Sequence, residues 1–416
     1  MPVFKDGHSL SLLQGSEVFF SALKSAMEAA RHEVRMETYL FDFTASGSEV
    51  ARHLESAAQR GVKVYLLVDG AGTEHIPQEW QQRFDAAGVQ WLVYNPLGRL
   101  GLLLPSRWRR LHRKLCVMDG GTPDAVGFCG GINVLDDFHD PNHGTLTKPR
   151  FDFSVRVQGA LVDDIHDATS SLWLRQTAYK QLRQRRLQAA ASTWVKSREL
   201  PSRFVIGSKP VQAATEAPSG HLARAALLLR DNLRYRKRIE RAYLKAISEA
   251  QQDIVIANAY FLPGRKLRQA LLKAAKRGVK IKLLLQGRYE YFMQYHAARP
   301  VYNTLLAAGI EIYEYESSFL HAKVAVIDAY SAKAWATVGS SNLDPLSLLL
   351  AREANIVVLD GAFARDLRER LIAGMLQDGN QLSAQEMASR PWHQRLLDRV
   401  AFGLMRLALS VTGRRY

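Results

Sequence analysis

Two short patterns, far apart in the chain, constrain its fold more than any other feature of the sequence. His112, Lys114, Asp119, Gly130 and Asn133 recur as His321, Lys323, Asp328, Gly339 and Asn342, each time with the Lys at +2, the Asp at +7, the Gly at +18 and the Asn at +21 from the His. A single H-x-K-x4-D has a chance expectation of about 0.05 in a chain this long, at roughly 1 in 20 per fixed position. Two copies with matching downstream spacing are a duplication. They lie 209 residues apart in 416, so the chain is two similar halves, each carrying half of a site.

The flanking sequence repeats with them. A helical pattern runs to about Arg31, a strand-like run follows over Val34–Phe43, and a helix over about 48–60 leads into Arg60-Gly61-Val62-Lys63-Val64. Gly61 suits a helix stop before a strand. A further helix ends at Ala86-Ala87-Gly88, and Val89–Tyr94 reads as the next strand. In the second half Ile254–Phe261, Arg277-Gly278-Val279-Lys280-Ile281 and Ala307-Ala308-Gly309-Ile310 answer these segments, and Tyr260 is matched with Tyr39. Strands alternating with helices predict an α/β layered architecture.

Where the halves differ, the charge is informative. Between the Ala-Ala-Gly signal and its His, the first half has 12 residues more than the second. The extra length falls in Pro96–Arg110, with Leu102-Leu103-Leu104, Trp108 and the bases Arg99, Arg107, Arg109 and Arg110, and no acidic residue occurs from Ala86 to Met118. Arg107, Trp108, Arg109 and Arg110 are therefore candidate contacts to an anionic substrate or membrane. From Gln176 to His221 the alternation lapses into a Pro-interrupted stretch with eight Lys/Arg against two acidic residues. The expected organisation is a first domain over 1–175, a basic linker over 176–221, partly helical at its start, a second domain over 222–390 and an amphipathic helix over 391–416. That last helix, with Trp392, Leu396, Val400, Leu404 and Leu407 at helical spacing, suits its own domain or a membrane interface equally.

A formal charge of +16 points to an anionic partner: nucleic acid, an acidic membrane or a phosphate substrate. Cys116 and Cys129 lie in apolar, strand-like runs and read as buried, reduced thiols of a cytosolic protein. The N-terminus lacks the apolar core of a signal peptide, and no stretch reaches the ~18 apolar residues that span a bilayer. A soluble or peripheral protein is expected.

The repeated residues suit phosphoryl chemistry. On strands at Leu111–Met118 and Leu320–Ile327, His112 and Lys114 share a face, as do His321 and Lys323. Asp119 and Asp328, at odd spacing, point elsewhere and read as structural members of the motif. Two ammonium groups, with amides from Asn133 and Asn342 in support, suit a phosphodiester whose charge shifts as bonds exchange. One neutral imidazole can attack phosphorus while the other, protonated, serves the leaving alcohol. Each needs a carboxylate to orient it. Asp152 and Glu353 are the candidates, at +40 and +32 from the His of their own half.

The doubled H-x-K-x4-D with a downstream G-[GS]-x-N resembles the phospholipase D superfamily over nearly the whole chain. The chain's length, the lack of N-terminal spans, the Arg-rich run before His112 and Gly130-Gly131-Ile132-Asn133 are most similar to bacterial cardiolipin synthases of the B type. The second motif reads Gly339-Ser340-Ser341-Asn342, a variant also found in the superfamily. The resemblance implies two similar α/β/α sandwich domains related by a pseudo-twofold, each a mixed sheet flanked by helices. It also implies catalysis by His112, Lys114, Asp119, His321, Lys323 and Asp328 with His112 as nucleophile, and a phosphohistidine intermediate. No cofactor or metal is implied. Phosphatidyl transfer between phosphatidylglycerol molecules would take place peripherally at the cytoplasmic face of the cell membrane.

Two other readings compete. A nuclease would use the same two-His centre, but the arginines are interleaved with Leu and Trp, and no platform for stacking bases is evident, which disfavours a nucleic-acid partner. A catalytically dead binder of anionic surfaces is opposed by two intact motifs. Val68-Asp69-Gly70-Ala71-Gly72 follows a strand, but His75 stands where a dinucleotide fingerprint needs its third Gly. Asp136, Asp137, His139, Asp140 and His143 crowd the loop after Asn133 and read as a solvated or substrate-facing loop, with a metal site as the lesser alternative. The acceptor alcohol and the oligomeric state are left open.

Overall fold

The computed structural model describes residues 3–98, 109–140, 143–199, 222–231, 235–288, 292–344 and 351–411. Arg107, Trp108 and Leu102–Leu104 of the basic insertion lie outside these residues, as does 200–221 of the expected linker.

The duplication is visible as a mirror order in one continuous sheet. From the middle outward, the first half runs Lys5–Gln14, Phe153–Gln158, Val126–Gly130, Lys114–Met118, Glu33–Thr38, Lys63–Asp69 and Gln90–Tyr94. The second runs Ala223–Arg230, Ala351–Leu359, Trp335–Gly339, Lys323–Ile327, Asp253–Asn258, Lys280–Gln286 and Glu311–Tyr315, with Gly379–Gln381 added at its edge. The two central strands pair antiparallel through Lys5↔Ala225 and His8↔Ala223. Within each half the motif strand is antiparallel to its neighbours and the three outer strands are parallel, giving a mixed sheet. The parallel strands are joined by helices such as Ala45–Gln59 and Arg265–Lys276, which end where Gly61 and Gly278, both at φ +89°, let the chain turn back into a strand.

Strand register corrects one expected correspondence. Val34 pairs Met118 as Ile254 pairs Ile327, so Tyr39 corresponds to Ala259, not to Tyr260. The repeat offset changes inside the intervening loops, where spacing alone cannot locate it.

Each sheet is covered on its outer face by helices. Phe20, Leu23, Leu54 and Phe84 pack there in the first half, and Ile239, Tyr243, Leu271 and Leu305 in the second. The inner faces share one core: Val117, Phe153 and Val155 lie in the same cluster as Val324, Val338 and Ile356, with Ile165 and Leu367 from two covering helices. Burying such side chains is worth roughly 1.5–3 kcal/mol each, so the shared core holds the halves in fixed register.

The helix Leu161–Arg183 continues through residue 175 and is followed by a second helix, Leu187–Glu199, so the partly helical start expected of the linker is a helical hairpin joined to the first half. Its polar and small residues hide the helical period. The C-terminal helix Trp392–Val411 packs on Phe292–Leu306, where Asp398 lies 2.6 Å from His296 Nδ1 and 2.6 Å from Arg390 Nη1. Trp392, Leu396, Val400 and Leu404 remain exposed on it. No described helix is long and apolar enough to cross a membrane.

Candidate active site

Each half delivers its His on a segment that leaves its own sheet to pair with the other half. Arg110–Leu111 runs parallel to Ala351–Arg352, and the His112 amide donates to the Arg352 carbonyl at 3.0 Å. In return Phe151 bridges Leu320, and the His321 amide donates to the Phe151 carbonyl at 3.0 Å. These crossings decide which carboxylate meets which imidazole. Glu353 follows Arg352, and its Oε2 lies 3.1 Å from His112 Nδ1. Asp152 follows Phe151, and its Oδ2 lies 2.6 Å from His321 Nδ1. Each carboxylate therefore lies against the imidazole of the other half. Sequence distance could not show this, because the carboxylates are aligned by contacts across the pseudo-twofold.

The lysines are buried behind the histidines. Lys114 Nζ donates to the His112 carbonyl at 2.9 Å, and Lys323 Nζ makes the equivalent bond to His321. Burial and the charge of Lys323 bring the Lys114 ammonium down to about 7. Burial lowers the His112 pKa, with Lys114 adding to the effect and Glu353 opposing it. His321 is pushed further down, by burial and then by Lys323, Lys114 and His112. Burial raises the Asp152 carboxyl to about 7, against the pull of Lys323. The two imidazoles, two ammoniums and two carboxylates therefore share one electrostatic environment. An entering phosphate anion would favour every protonated cation in it.

The motif aspartates do structural work. Asp119 accepts the amides of Arg31, His32 and Glu33, and Asp328 those of Gln251, Gln252 and Asp253, all within 3.1 Å. Both sit at φ +50° where the motif strand ends, so they pin the neighbouring strand to it. The asparagines differ between halves. Asn133 Oδ1 accepts the Leu40 amide at 3.3 Å, which leaves its Nδ2 as the donor it can offer a substrate. Asn342 is buried, with Oδ1 unpartnered, and its loop is pinned by Asn258 Oδ1 accepting the Leu343 amide at 3.1 Å.

The Gly/Ser difference between motifs also has a geometric reading. A Cβ on Gly131 would come within 2.3 Å of Asp152 Oδ1, so only Gly leaves room for that carboxylate. At the matching place Ser340 Oγ donates to Glu353 Oε2 at 2.5 Å.

Of the expected surface contacts, Arg109 is exposed, but Arg110 is not available. Its Nη1 lies 3.0 Å from buried Asp69 Oδ1, whose Oδ2 accepts the Leu111 amide at 2.6 Å. Asp69, met in the sequence only as part of a weak Gly pattern, anchors the approach to His112. In the loop after Asn133, Asp136 Oδ2 accepts from Ser46 Oγ, Asp137 Oδ2 accepts the Ser16 amide, and Asp140 pairs with Arg150 at 2.7 Å and with His143. Among the described residues no three of these groups converge on a point that could hold a metal ion. Cys116 and Cys129 are buried and unpaired, and burial raises both thiols, Cys129 to about 12.

Two neighbours escaped the sequence reading of the site. The Tyr39 ring lies 5.0 Å from the His112 ring, and Lys114 Nζ lies 5.5 Å from its centre. Its signal was an aromatic residue at the end of the strand beside the motif strand. Arg113, between the motif His and Lys, is buried with Nε and Nη2 donating to the two carboxylate oxygens of Glu37 and Nη2 also donating to the Ala168 carbonyl at 2.9 Å.

Comparison with known proteins agrees with this geometry. Residues 23–146 and 243–373 match the family described as "Cardiolipin synthase, PLD-like domain". The chain is 34% identical over 410 residues to cardiolipin synthase B of Escherichia coli K12, covering 99% of this chain and 91% of the relative. It is 35% identical to that of Salmonella typhi over the same shares, and 27% identical to a cardiolipin synthase of Geobacillus kaustophilus, covering 94% of this chain and 70% of the relative. Among solved structures, phosphatidylserine synthase of Haemophilus influenzae Rd KW20 superposes with a TM-score of 0.64 at 12% identity over 97% of this chain and 94% of that one, a likeness of fold.

Proposed function

The chain belongs to the family of cardiolipin synthases with phospholipase D-like domains, and we propose on that premise that it makes cardiolipin from two phosphatidylglycerol molecules and releases glycerol. The observation that carries this reading is the crossed pairing, which makes one site of two half-motifs and backs each imidazole with a carboxylate.

In the first step, His112 donates its Nδ1 proton to Glu353 in a hydrogen bond, so Nε2 carries the lone pair that attacks phosphorus. The bond from phosphorus to the glycerol oxygen breaks, and His321 Nε2 gives that oxygen a proton. The proton comes from the His321–Asp152 pair, whose carboxyl is raised to about 7 by burial and which an entering anion would polarise toward imidazolium. Lys114 and Lys323 stabilise charge on the phosphoryl oxygens. In the second step the terminal hydroxyl of another phosphatidylglycerol loses its proton to His321 and attacks phosphorus. The bond to His112 breaks, and cardiolipin leaves. A phosphodiester is broken and another made, so the reaction is close to balanced. Water competes for the phosphatidyl-histidine unless the site excludes it. The work is done peripherally at a membrane surface, at its cytoplasmic face.

Incubating pure protein with phosphatidylglycerol vesicles and identifying the products tests this. Cardiolipin and free glycerol are expected, and excess glycerol should suppress cardiolipin. Phosphatidic acid alone under all conditions would make the enzyme a hydrolase. Cleavage of a nucleic-acid diester that requires His112, with no lipid turned over, would make it a nuclease.

A further inference from the structure

The hairpin formed by Leu161–Arg183 and Leu187–Glu199 is built inside out at its far end. Its helices meet through small residues: Ala178, Ala190 and Ser197 are 3%, 7% and 0% exposed, and Ser171 Oγ donates to the Ser197 carbonyl at 3.2 Å. The large apolar side chains Tyr179, Leu182, Leu187, Trp194 and Val195 point outward, between 45% and 64% exposed. Water favours the reverse arrangement, whereas small residues inside and large ones outside is how helices pack against lipid.

Charge identifies the surface that would cover this face. No acidic residue occurs between Asp167 and Glu199, while Lys180, Arg183, Arg185, Arg186, Lys196 and Arg198 all lie there. Cations beside exposed Leu, Tyr and Trp suit the headgroup boundary of an anionic bilayer.

The first helix of the hairpin is anchored across the sheet of the first half. It starts beside the far end of the motif strand, where a Cβ on Gly120 would strike the His166 ring at 2.4 Å and one on Gly127 would strike Ile165 at 2.7 Å. It passes Arg113 at the Ala168 carbonyl and reaches the layer of Leu111 with Leu172 and Trp173, the latter edge-on to Tyr65 at 5.1 Å. Leu111 precedes His112. From Trp173 the helix continues for ten residues to Arg183, about 15 Å at the helical rise.

We propose that this hairpin docks the protein on an anionic phospholipid surface. The inference rests on the proposed lipid chemistry for the identity of that surface. The test uses the full chain, with two sets of changes on exposed positions: Leu182→Glu with Trp194→Glu and Val195→Glu, and separately Arg183→Glu with Arg185→Glu and Arg186→Glu. Each variant is melted to confirm folding, then sedimented with vesicles of mixed phosphatidylglycerol and phosphatidylcholine. Both sets should lower vesicle affinity by about tenfold or more. Turnover in vesicles should fall with it, while turnover of short-chain phosphatidylglycerol dissolved as monomers should be unchanged. Wild-type vesicle binding by both sets overturns the proposal. So does a change from dimer to monomer on gel filtration with vesicle binding intact, which would make the face a contact between copies of the chain. If no form turns over phosphatidylglycerol yet vesicle binding still depends on the hairpin, the docking role stands and the proposed reaction falls.

Discussion

The two halves present the same His-Lys pair in different surroundings. On the His112 side, Glu353 stands 3.1 Å away, held by Ser340, and Tyr39 lies against the ring. On the His321 side, Asp152 stands 2.6 Å away, in space left by Gly131. The residue between His and Lys is Arg113 in the first half, buried on Glu37, but Ala322 in the second, where Ala257 takes the place of Glu37. A duplication preserves backbone geometry because strand pairing fixes it. Side chains around that geometry are free to diverge, and on the proposed mechanism they give one imidazole a carboxylate that orients it and the other a carboxylate that stores its proton.

The largest effects should come from separating those two roles. His112→Ala should prevent formation of the phosphatidyl-histidine, and Glu353→Gln should slow it. His321→Ala and Asp152→Asn should instead allow some adduct to form with substrates whose leaving group needs no proton, such as a nitrophenyl phosphodiester. Steady-state loss on phosphatidylglycerol is expected at roughly 10²–10⁴-fold for each carboxylate change. Mass spectrometry of the trapped protein reads the adduct. If Asp152→Asn behaves like His112→Ala, the crossed assignment of roles is wrong.

A smaller effect, on stability, should mark the first half alone. Arg113→Met leaves Glu37 buried without its partner, at a cost of about 3–5 kcal/mol. Adding Glu37→Leu removes the stranded charge and should restore most of that. Urea unfolding midpoints measure both, and a double variant no more stable than the single one would show that the pair is not the cause.

The smallest effect is in pH dependence. His112 must be neutral to attack, and its pKa is lowered from 6.5 by burial, so the acid limb of kcat/KM should lie below pH 6.5. Lys114 must be charged, and its ammonium is brought to about 7, so kcat/KM should decline as pH rises through about 7. Bound phosphodiester stabilises the ammonium, so the alkaline limb of kcat should lie at higher pH than that of kcat/KM. Coincident alkaline limbs would argue against Lys114 facing the phosphoryl group.

Much of this arrangement was legible in the chain. Repeated spacing located both motifs, and alternating periodicity gave the α/β class. Charge and chemistry also singled out Asp152 and Glu353, because carboxylates at matching positions before apolar strands are few. Helix at the start of residues 176–221 was legible, but its folding into a hairpin was not, since its small residues face inward and break the apolar period by which helices are read.

The sequence by itself determined that there are two half-sites, that each supplies a His and a Lys, and that the partner is anionic. Those are properties of residue type and local spacing. Only the tertiary structure decided that Glu353 serves His112 and Asp152 serves His321, that Arg110 belongs to Asp69, and that Arg113 is buried. These contacts join residues from 41 to 241 positions apart; the crossed carboxylate–imidazole pairs are chosen by how the two halves meet at a shared core, and the others by how strands and helices pack within the first half. No local pattern in the sequence records that meeting.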